Sequence, residues 1–407
     1  MNHWKRNLIL FLGSQTISLF GSALVQYAIM WYISLHTKSG FMMTLYIICG
    51  FLPTFFLSPF AGVWADRYSR KLLIILADAM IAMVTLLLAV LFLTGYDALW
   101  LFFVISAVRA VGTAVQNPAV GAILPQIVPE DKLTKANGAN GSMQALVTLV
   151  APMVSGALLT VASIEIIFFI DVITAAIAIF ILLTYLHVPV HEKARLKEKV
   201  GYFRDMRTGI LFIKNHDFLK QFFLFFAIFF FLFAPVSFLP PLQVARSFGD
   251  DVWRLTAIEV VFSIGMMLGG AFMAYWGGFR NRTHTMALAT FIFGICTFAL
   301  GVIPYFWIYL LFMGILGVTL PIFNTPATVL LQEKVESDFL GRVFGIFTMI
   351  STSMMPLGML VFGPVADMIR IEWLLIGTGL VLFLQGFFLT GNKVLLKGEK
   401  RPRAGCR

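Results

Sequence analysis

The 407-residue chain contains 59% hydrophobic and only 12% charged residues, and its mean hydropathy is +0.90. In soluble domains roughly a quarter of all residues are charged. The composition of this chain therefore excludes a soluble globule and predicts a polytopic membrane protein. The net charge of +10 does not indicate nucleic-acid binding, because the basic residues are spread over loops and tail rather than gathered in one domain.

Twelve apolar stretches are long enough to cross a bilayer, which requires about 20 mainly apolar residues. In chain order they cover 8–35, 41–64, 72–94, 98–124, 136–163, 165–187, 219–245, 253–276, 284–303, 305–330, 342–364 and 372–391. If the N-terminus lies inside, 25 of the 30 Lys and Arg residues fall in cytoplasmic segments. This bias predicts that both termini are cytoplasmic.

A single long polar interval, between His187 and Lys220, separates six predicted helices from six. The expected domains are an N-terminal six-helix bundle (1–187), a cytoplasmic linker (188–218), a C-terminal six-helix bundle (219–392) and a basic cytoplasmic tail (393–407). The linker is either an amphipathic helix on the inner leaflet or a solvated tether.

The two predicted bundles contain a repeated motif. The fourth helix continues through Asn117-Pro118 to Leu133 and Lys135, and the tenth through Asn324 and Pro326 to Leu340 and Arg342, with the same Leu-to-basic spacing. Duplicated six-helix halves are typical of alternating-access transporters, which bind substrate between the halves.

Ionisable residues inside predicted spans are costly and are therefore functional candidates. Asp171 and Glu259, one in each half, lie about 10 Å inside the outer ends of their helices. A carboxylate in a partly dehydrated cavity can bind and release a proton, so both are candidates for proton coupling. The alternative is that each pairs with backbone or a polar neighbour.

Two further charges lie within spans. Arg109 must pair with an acid or line a wet cavity, which makes it a third coupling candidate or a structural ion pair. Asp78 lies about two turns from the inner surface, where we expect a structural pair with Arg67, Arg70 or Lys71.

Polar residues also mark a possible substrate cavity. In the first helix Gln15, Ser18, Ser22 and Gln26 lie on one face, which either faces a cavity or bonds neighbouring helices. The substrate-cavity candidates are Gln15, Ser22, Gln26, Asn117 and Asn324.

The seventh span contains Pro235, Pro240 and Pro241, which should interrupt its helix and form a gate. The 42 Phe and 19 Met residues favour a large apolar ligand only slightly, because most of them face lipid or neighbouring helices.

A charged joint follows the second span and reads Gly62-x-x-Ala-Asp66-Arg67-x-x-Arg70-Lys71. It resembles the loop signature of the major facilitator superfamily between its second and third helices. Further motifs resemble the macrolide-efflux group of drug:proton antiporters within that superfamily, among them Val108-Arg109-Ala110-Val111-Gly112, Leu124-Pro125-x-x-Val128-Pro129, Phe169-Ile170-Asp171 and Leu340-Gly341-Arg342-Val343-Phe344.

The resemblance implies a proton-driven exporter of a hydrophobic antibiotic, a macrolide first, with a tetracycline or a siderophore or endogenous metabolite as alternatives. Its expected partners are a small hydrophobic substrate, protons and the lipid bilayer, here that of the bacterial cytoplasmic membrane. The expected state is a monomer without cofactor. The joint would act as a conformational latch in which Asp66 stabilises the outward-facing state.

Two other classes of protein fit the sequence less well. A membrane-embedded enzyme needs His and Asp or Glu clustered near an interface, whereas the six His residues are scattered. The three Cys residues have no paired spacing, so no metal site is predicted. A scaffold would not explain duplicated halves with buried charges, and we therefore expect a transporter and not an enzyme.

Overall fold

The computed structural model describes residues 3–129, 132–186, 216–335 and 337–397, and regular structure in these ranges is entirely helical. The helices are α1 (His3–Thr37), α2 (Gly40–Arg67), α3 (Arg70–Leu93), α4 (Trp100–Ile127), α5 (Leu133–Val161), α6 (Ile164–Tyr185), α7 (Asp217–Phe238), α8 (Pro240–Ser247), α9 (Val252–Trp276), α10 (Arg282–Val302), α11 (Phe306–Lys334), α12 (Ser337–Met368), α13 (Ile371–Gly391) and α14 (Lys393–Lys397). Twelve helical segments of the described chain are long and apolar enough to cross a membrane, which confirms the predicted number.

The helices form two compact units. The first unit contains nearly all of α1 to α6, and the second contains α7, α8 and α10 to α13 with most of α9. The predicted linker and tail lie largely outside the described residues, so the predicted domain boundaries there stay predictions.

The same helix pairings occur in both units. In the first unit α1 packs on α5 and α6, while α3 packs on α4 and α6. In the second unit α7 packs on α12 and α13, while α10 packs on α11 and α13. Counted as spanning segments, both units pair the first with the fifth and sixth and the third with the fourth and sixth. This agrees with the duplication that the repeated Asn and Pro motif indicates.

The seventh spanning segment is broken at one of its three prolines. α7 ends at Phe238 and α8 begins at Pro240, where the absent N–H is no loss because the first N–H groups of a helix have no partner within it. Pro235, in contrast, stays within α7 and removes the usual donor to the Phe231 carbonyl. Gly358 of α12 lies against that carbonyl, and a Cβ there would come within 2.6 Å of the oxygen.

Phenylalanine builds the core of the second unit. Phe225, Phe226 and Phe229 of α7 are almost completely buried against Phe293 of α10 and Phe323 of α11. The rings of Phe229 and Phe323 stack with centroids 4.1 Å apart. These rings pack one helix on another, so this part of the Phe-rich composition serves the fold.

Truncating this stack should destabilise the second unit. Phe229→Ala removes a buried ring and leaves a cavity, and together these two effects should lower the free energy of unfolding by about 3–5 kcal/mol. Thermal unfolding of the purified protein in detergent measures the change, with Phe272→Ala as a control because that ring is 48% exposed. Equal losses in both variants would contradict a core role for the stack.

Candidate functional site

A buried ion pair joins α4 to α6 inside the first unit. Asp171 of α6 is fully buried, and its Oδ2 lies 2.6 Å from Nη1 of Arg109, whose side chain is 13% exposed. Removing two charges from water is expensive, and their attraction offsets this cost only when further hydrogen bonds complete both groups.

Two hydroxyl residues complete the pair. Thr85 of α3 donates to Asp171 Oδ2 over 3.0 Å and accepts from Arg109. Ser22 of α1 donates to Asp171 Oδ1 over 3.2 Å, and its backbone carbonyl accepts from Arg109 Nη2 over 3.3 Å. Both carboxylate oxygens are therefore bonded. The close approach of α1 needs Gly21, where a Cβ would lie only 3.0 Å from Asp171 Cα.

A second polar layer lies along the same helices. Asp78 of α3 is 2% exposed. Its Oδ1 accepts from Ser18 Oγ over 2.7 Å and from Gln116 Nε2 over 2.8 Å. Asp78 precedes Thr85 by seven residues on α3, and Gln116 follows Arg109 by seven on α4. Since seven residues are about two turns, the layers are about 10 Å apart along the helices.

The expected pairing of Asp78 with the charged joint is wrong. Both partners of Asp78 are uncharged side chains, Ser18 on α1 and Gln116 on α4. The side chain of Asp78 faces these two helices because α3 packs with its polar face inward. Sequence distance along α3 does not determine that orientation.

The basic residues of the joint bind the ends of neighbouring helices. Arg70 donates to the carbonyls of Ala65 and Ala122 over 3.0 and 2.6 Å, and Lys71 donates to that of Leu186 over 2.8 Å. Cations near helix C-termini are favourable because the last carbonyls lack partners within the helix. The surroundings of Gly62 and the side chains of Asp66 and Arg67 lie outside the described part of the chain, so the predicted latch stays a prediction.

A cavity of about 440 Å³ lies beside the two polar layers, between helices of the first unit. Most of its polar lining comes from α1 and α4 and includes Ser18, Ser22, Gln26, Arg109, Gln116 and Asn117, while α2 adds Tyr46 and Thr54. Apolar side chains complete it, among them Leu19, Met30 and Phe51. Ligand sites commonly have this size and combine apolar walls with a few polar groups.

Of the six coupling and cavity candidates in the first unit, two form the ion pair, three others line the cavity and one lies outside it. Arg109 contacts Asp171 directly, so Arg109 pairs with an acid, which is one of the two surroundings expected for it from the sequence. Ser22, Gln26 and Asn117 line the cavity, whereas Gln15 is buried and does not.

Two predicted residues belong to the second unit. Asn324 is exposed on α11, and Glu259 is half-buried on α9. Glu259 has no hydrogen-bond or ion-pair partner among the described residues. The described chain also contains no group of three or more His, Cys, Asp and Glu residues that could hold a metal ion.

Sequence reasoning missed Thr85 and Gln116. Each lies seven residues from an intramembrane charge on the same helix, Thr85 after Asp78 and Gln116 after Arg109. A spacing of seven residues places Thr85 on the helix face of Asp78 and Gln116 on that of Arg109. This spacing is the sequence signal that could have identified both residues.

Comparison with known proteins identifies the family. The model of the Major Facilitator Superfamily matches residues 10–359. The chain belongs to the Major Facilitator Superfamily. As a member with twelve membrane-crossing segments and bacterial relatives, it is a multi-pass transporter of the bacterial cytoplasmic membrane and not an enzyme.

Two bacterial relatives share the name macrolide efflux protein A. The chain is 29% identical over 389 residues to macrolide efflux protein A of Streptococcus pyogenes, covering 94% of this chain and 95% of the relative. It is 29% identical over 314 residues to macrolide efflux protein A of Enterococcus faecalis, covering 77% and 97%. The fold is similar to that of the POT family transporter PepTSo, with a TM-score of 0.77, 11% identity and coverage of 97% and 99%.

The buried pair should behave as one stabilising unit. Asp171→Asn or Arg109→Gln leaves its partner as an uncompensated buried charge, which should lower the free energy of unfolding by about 3–5 kcal/mol. The double variant removes both charges, and we expect it to recover most of this loss in thermal unfolding measured in detergent.

The control for this cycle is Arg370→Gln. The Arg370–Glu372 pair spans 3.5 Å with Arg370 77% exposed, so its loss should change stability by less than about 1 kcal/mol. A double variant whose loss equals the sum of the two single losses would show that the buried charges do not interact.

Proposed function

We propose that this transporter exports a hydrophobic antibiotic, a macrolide in the first place, by proton antiport through alternating access. The observation that carries the proposal is the buried Arg109–Asp171 pair beside an amphiphilic cavity of the first unit. The names of the two relatives, one of which matches this chain almost end to end, support the choice of substrate class.

The composition of the cavity supports an amphiphilic substrate. Leu19, Met30 and Phe51 offer an apolar, adaptable surface, since Met side chains change shape at little cost and aromatic rings contribute large contact areas. Gln26 and Asn117 add amide groups that can bind hydroxyl or carbonyl groups of a substrate. A macrolide presents both kinds of surface.

Proton coupling requires acids that change their ionisation as access alternates. In this proposal Arg109 and Asp171 provide the charge centre of the first unit, and Glu259 provides the exchangeable acid of the second. Glu259 suits this role because it is half-buried within a spanning helix and has no partner among the described residues that would keep it ionised.

The charged joint is proposed as the conformational latch. Arg70 and Lys71 bind backbone carbonyls of neighbouring helices in the first unit, which attaches this turn to those helices. Gly62, Asp66 and Arg67 complete the proposed latch, with Asp66 favouring the outward-facing state.

Drug accumulation tests the proposal. Expression of the chain in a pump-deficient bacterium should lower the accumulation of labelled erythromycin several-fold, and a protonophore should abolish the difference because proton entry drives export. The matched control is the double variant Arg109→Gln with Asp171→Asn, which should be stable but lack the charge centre.

The outcomes separate the candidate substrates. Lowered tetracycline with unchanged erythromycin would favour a tetracycline exporter. If neither drug changes, antibiotic export is contradicted, and a siderophore or an endogenous metabolite becomes the substrate to examine.

Replacing Glu259 should affect coupling more than folding. Glu259→Gln keeps the shape of the side chain but cannot release a proton, so protonophore-sensitive efflux of erythromycin should be lost while protein level and thermal stability stay unchanged. Glu333→Gln is the control, because Glu333 is an exposed acid at the end of α11. Full efflux in the Glu259 variant would remove this residue from the coupling mechanism.

A further inference from the structure

We infer that Asp78 is the proton-exchanging acid of the first unit, and that Asp171 is a fixed negative charge that does not take up the transported proton. This inference rests on the proposed proton antiport, and it reverses the structural role expected for Asp78.

The two buried aspartates have opposite surroundings. Asp171 has hydrogen bonds to both oxygens and a guanidinium 2.6 Å away, so its ionised form is compensated where it lies. Asp78 has two donors on Oδ1 and no cation, and its buried Oδ2 has no hydrogen-bond partner among the described residues.

An ionised Asp78 would be a buried charge without a counter-ion, which is far more costly than a buried neutral acid. The neutral acid fits the observed contacts, with the proton on Oδ2 and the carbonyl oxygen Oδ1 accepting from Ser18 and Gln116. Taking up one proton at Oδ2 neutralises the carboxylate, and releasing it returns one proton to the cavity.

A route for this proton follows from the lining of the cavity. Ser18 and Gln116, the two partners of Asp78, both line the 440 Å³ cavity. Asp78 is thus separated from the cavity by its own hydrogen-bond partners. A positively charged group bound in the cavity would favour release of the proton, whereas an empty cavity would favour its uptake.

The charged groups nearest to Asp78 on the helices around α3 do not replace the missing counter-ion. α4 contributes Arg109, about 10 Å away along the helix and bound to Asp171. α6 contributes Asp171 itself, which is negative. α1 contributes Ser18, which is uncharged.

Infrared spectroscopy of the full chain in liposomes tests the inference without a substrate. In the Glu259→Gln background, which removes the other proposed exchangeable acid, the protein should show the carbonyl band of a protonated carboxyl group that disappears as the pH is raised. Asp78→Asn should lack this band, and Asp97→Asn should keep it, because Asp97 is an exposed acid in the loop between α3 and α4. An unchanged band in Asp78→Asn would overturn the inference.

Isotope labelling keeps the test decisive if Asp78→Asn does not fold. In protein labelled with ¹³C-aspartate the band should shift, which separates Asp78 from Glu259, and in labelled Asp78→Glu it should return to the unlabelled position. A band that the label does not move would contradict the assignment to an aspartate.

Transport distinguishes failure of this inference from failure of the proposed function. Asp78→Asn should lose protonophore-sensitive erythromycin efflux but still bind erythromycin, and Asp78→Glu should restore efflux. Wild-type protein that shows the band but exports no erythromycin would contradict the proposed substrate alone. Normal efflux by Asp78→Asn would contradict the role of Asp78 and leave drug export intact.

Discussion

The pair of Arg109 and Asp171 is the interaction on which the interior of the first unit depends. Four helices supply its parts, because Thr85 of α3 and Ser22 of α1 complete the hydrogen bonds of a charge pair between α4 and α6. Each partner alone would be an uncompensated charge in a region of low polarity. The pair therefore constrains how these four helices pack.

The second polar layer has a different physical character. Asp78 is held by neutral donors only, so its neighbours do not compensate a charge as Arg109 does for Asp171. Two acids about 10 Å apart on adjacent helices can thus have separate functions, one as a permanent charge and one as a site of proton exchange. Both layers border the same cavity, through Ser22 and Arg109 in one and Ser18 and Gln116 in the other.

The two units share helix pairings but differ in what fills them. In the first unit the interior combines polar layers with a cavity, and the joint residues Arg70 and Lys71 bind the ends of its helices. In the second unit a stack of phenylalanine rings fills the space between α7, α10 and α11. The same arrangement of helices thus supports a polar interior in one unit and a dense aromatic core in the other.

Much of the fold followed from the sequence, because the required patterns are local. About 20 apolar residues suffice to cross a bilayer, so the number and order of the spans could be predicted, as could the break at Pro240. An intramembrane charge is likewise visible without knowing its surroundings. Arg109 and Asp171 were therefore identified as candidates before their contact was known.

The tertiary structure decided which of these groups meet. Each residue turns the helix by about 100°, so the direction of a side chain depends on how the whole helix rotates against its neighbours. That rotation brings Arg109 to Asp171, 62 positions further along the chain, and directs Asp78 to Ser18 and Gln116 instead of the nearby joint. Sequence alone determined that charges lie in the membrane, and only packing determined which of them is compensated.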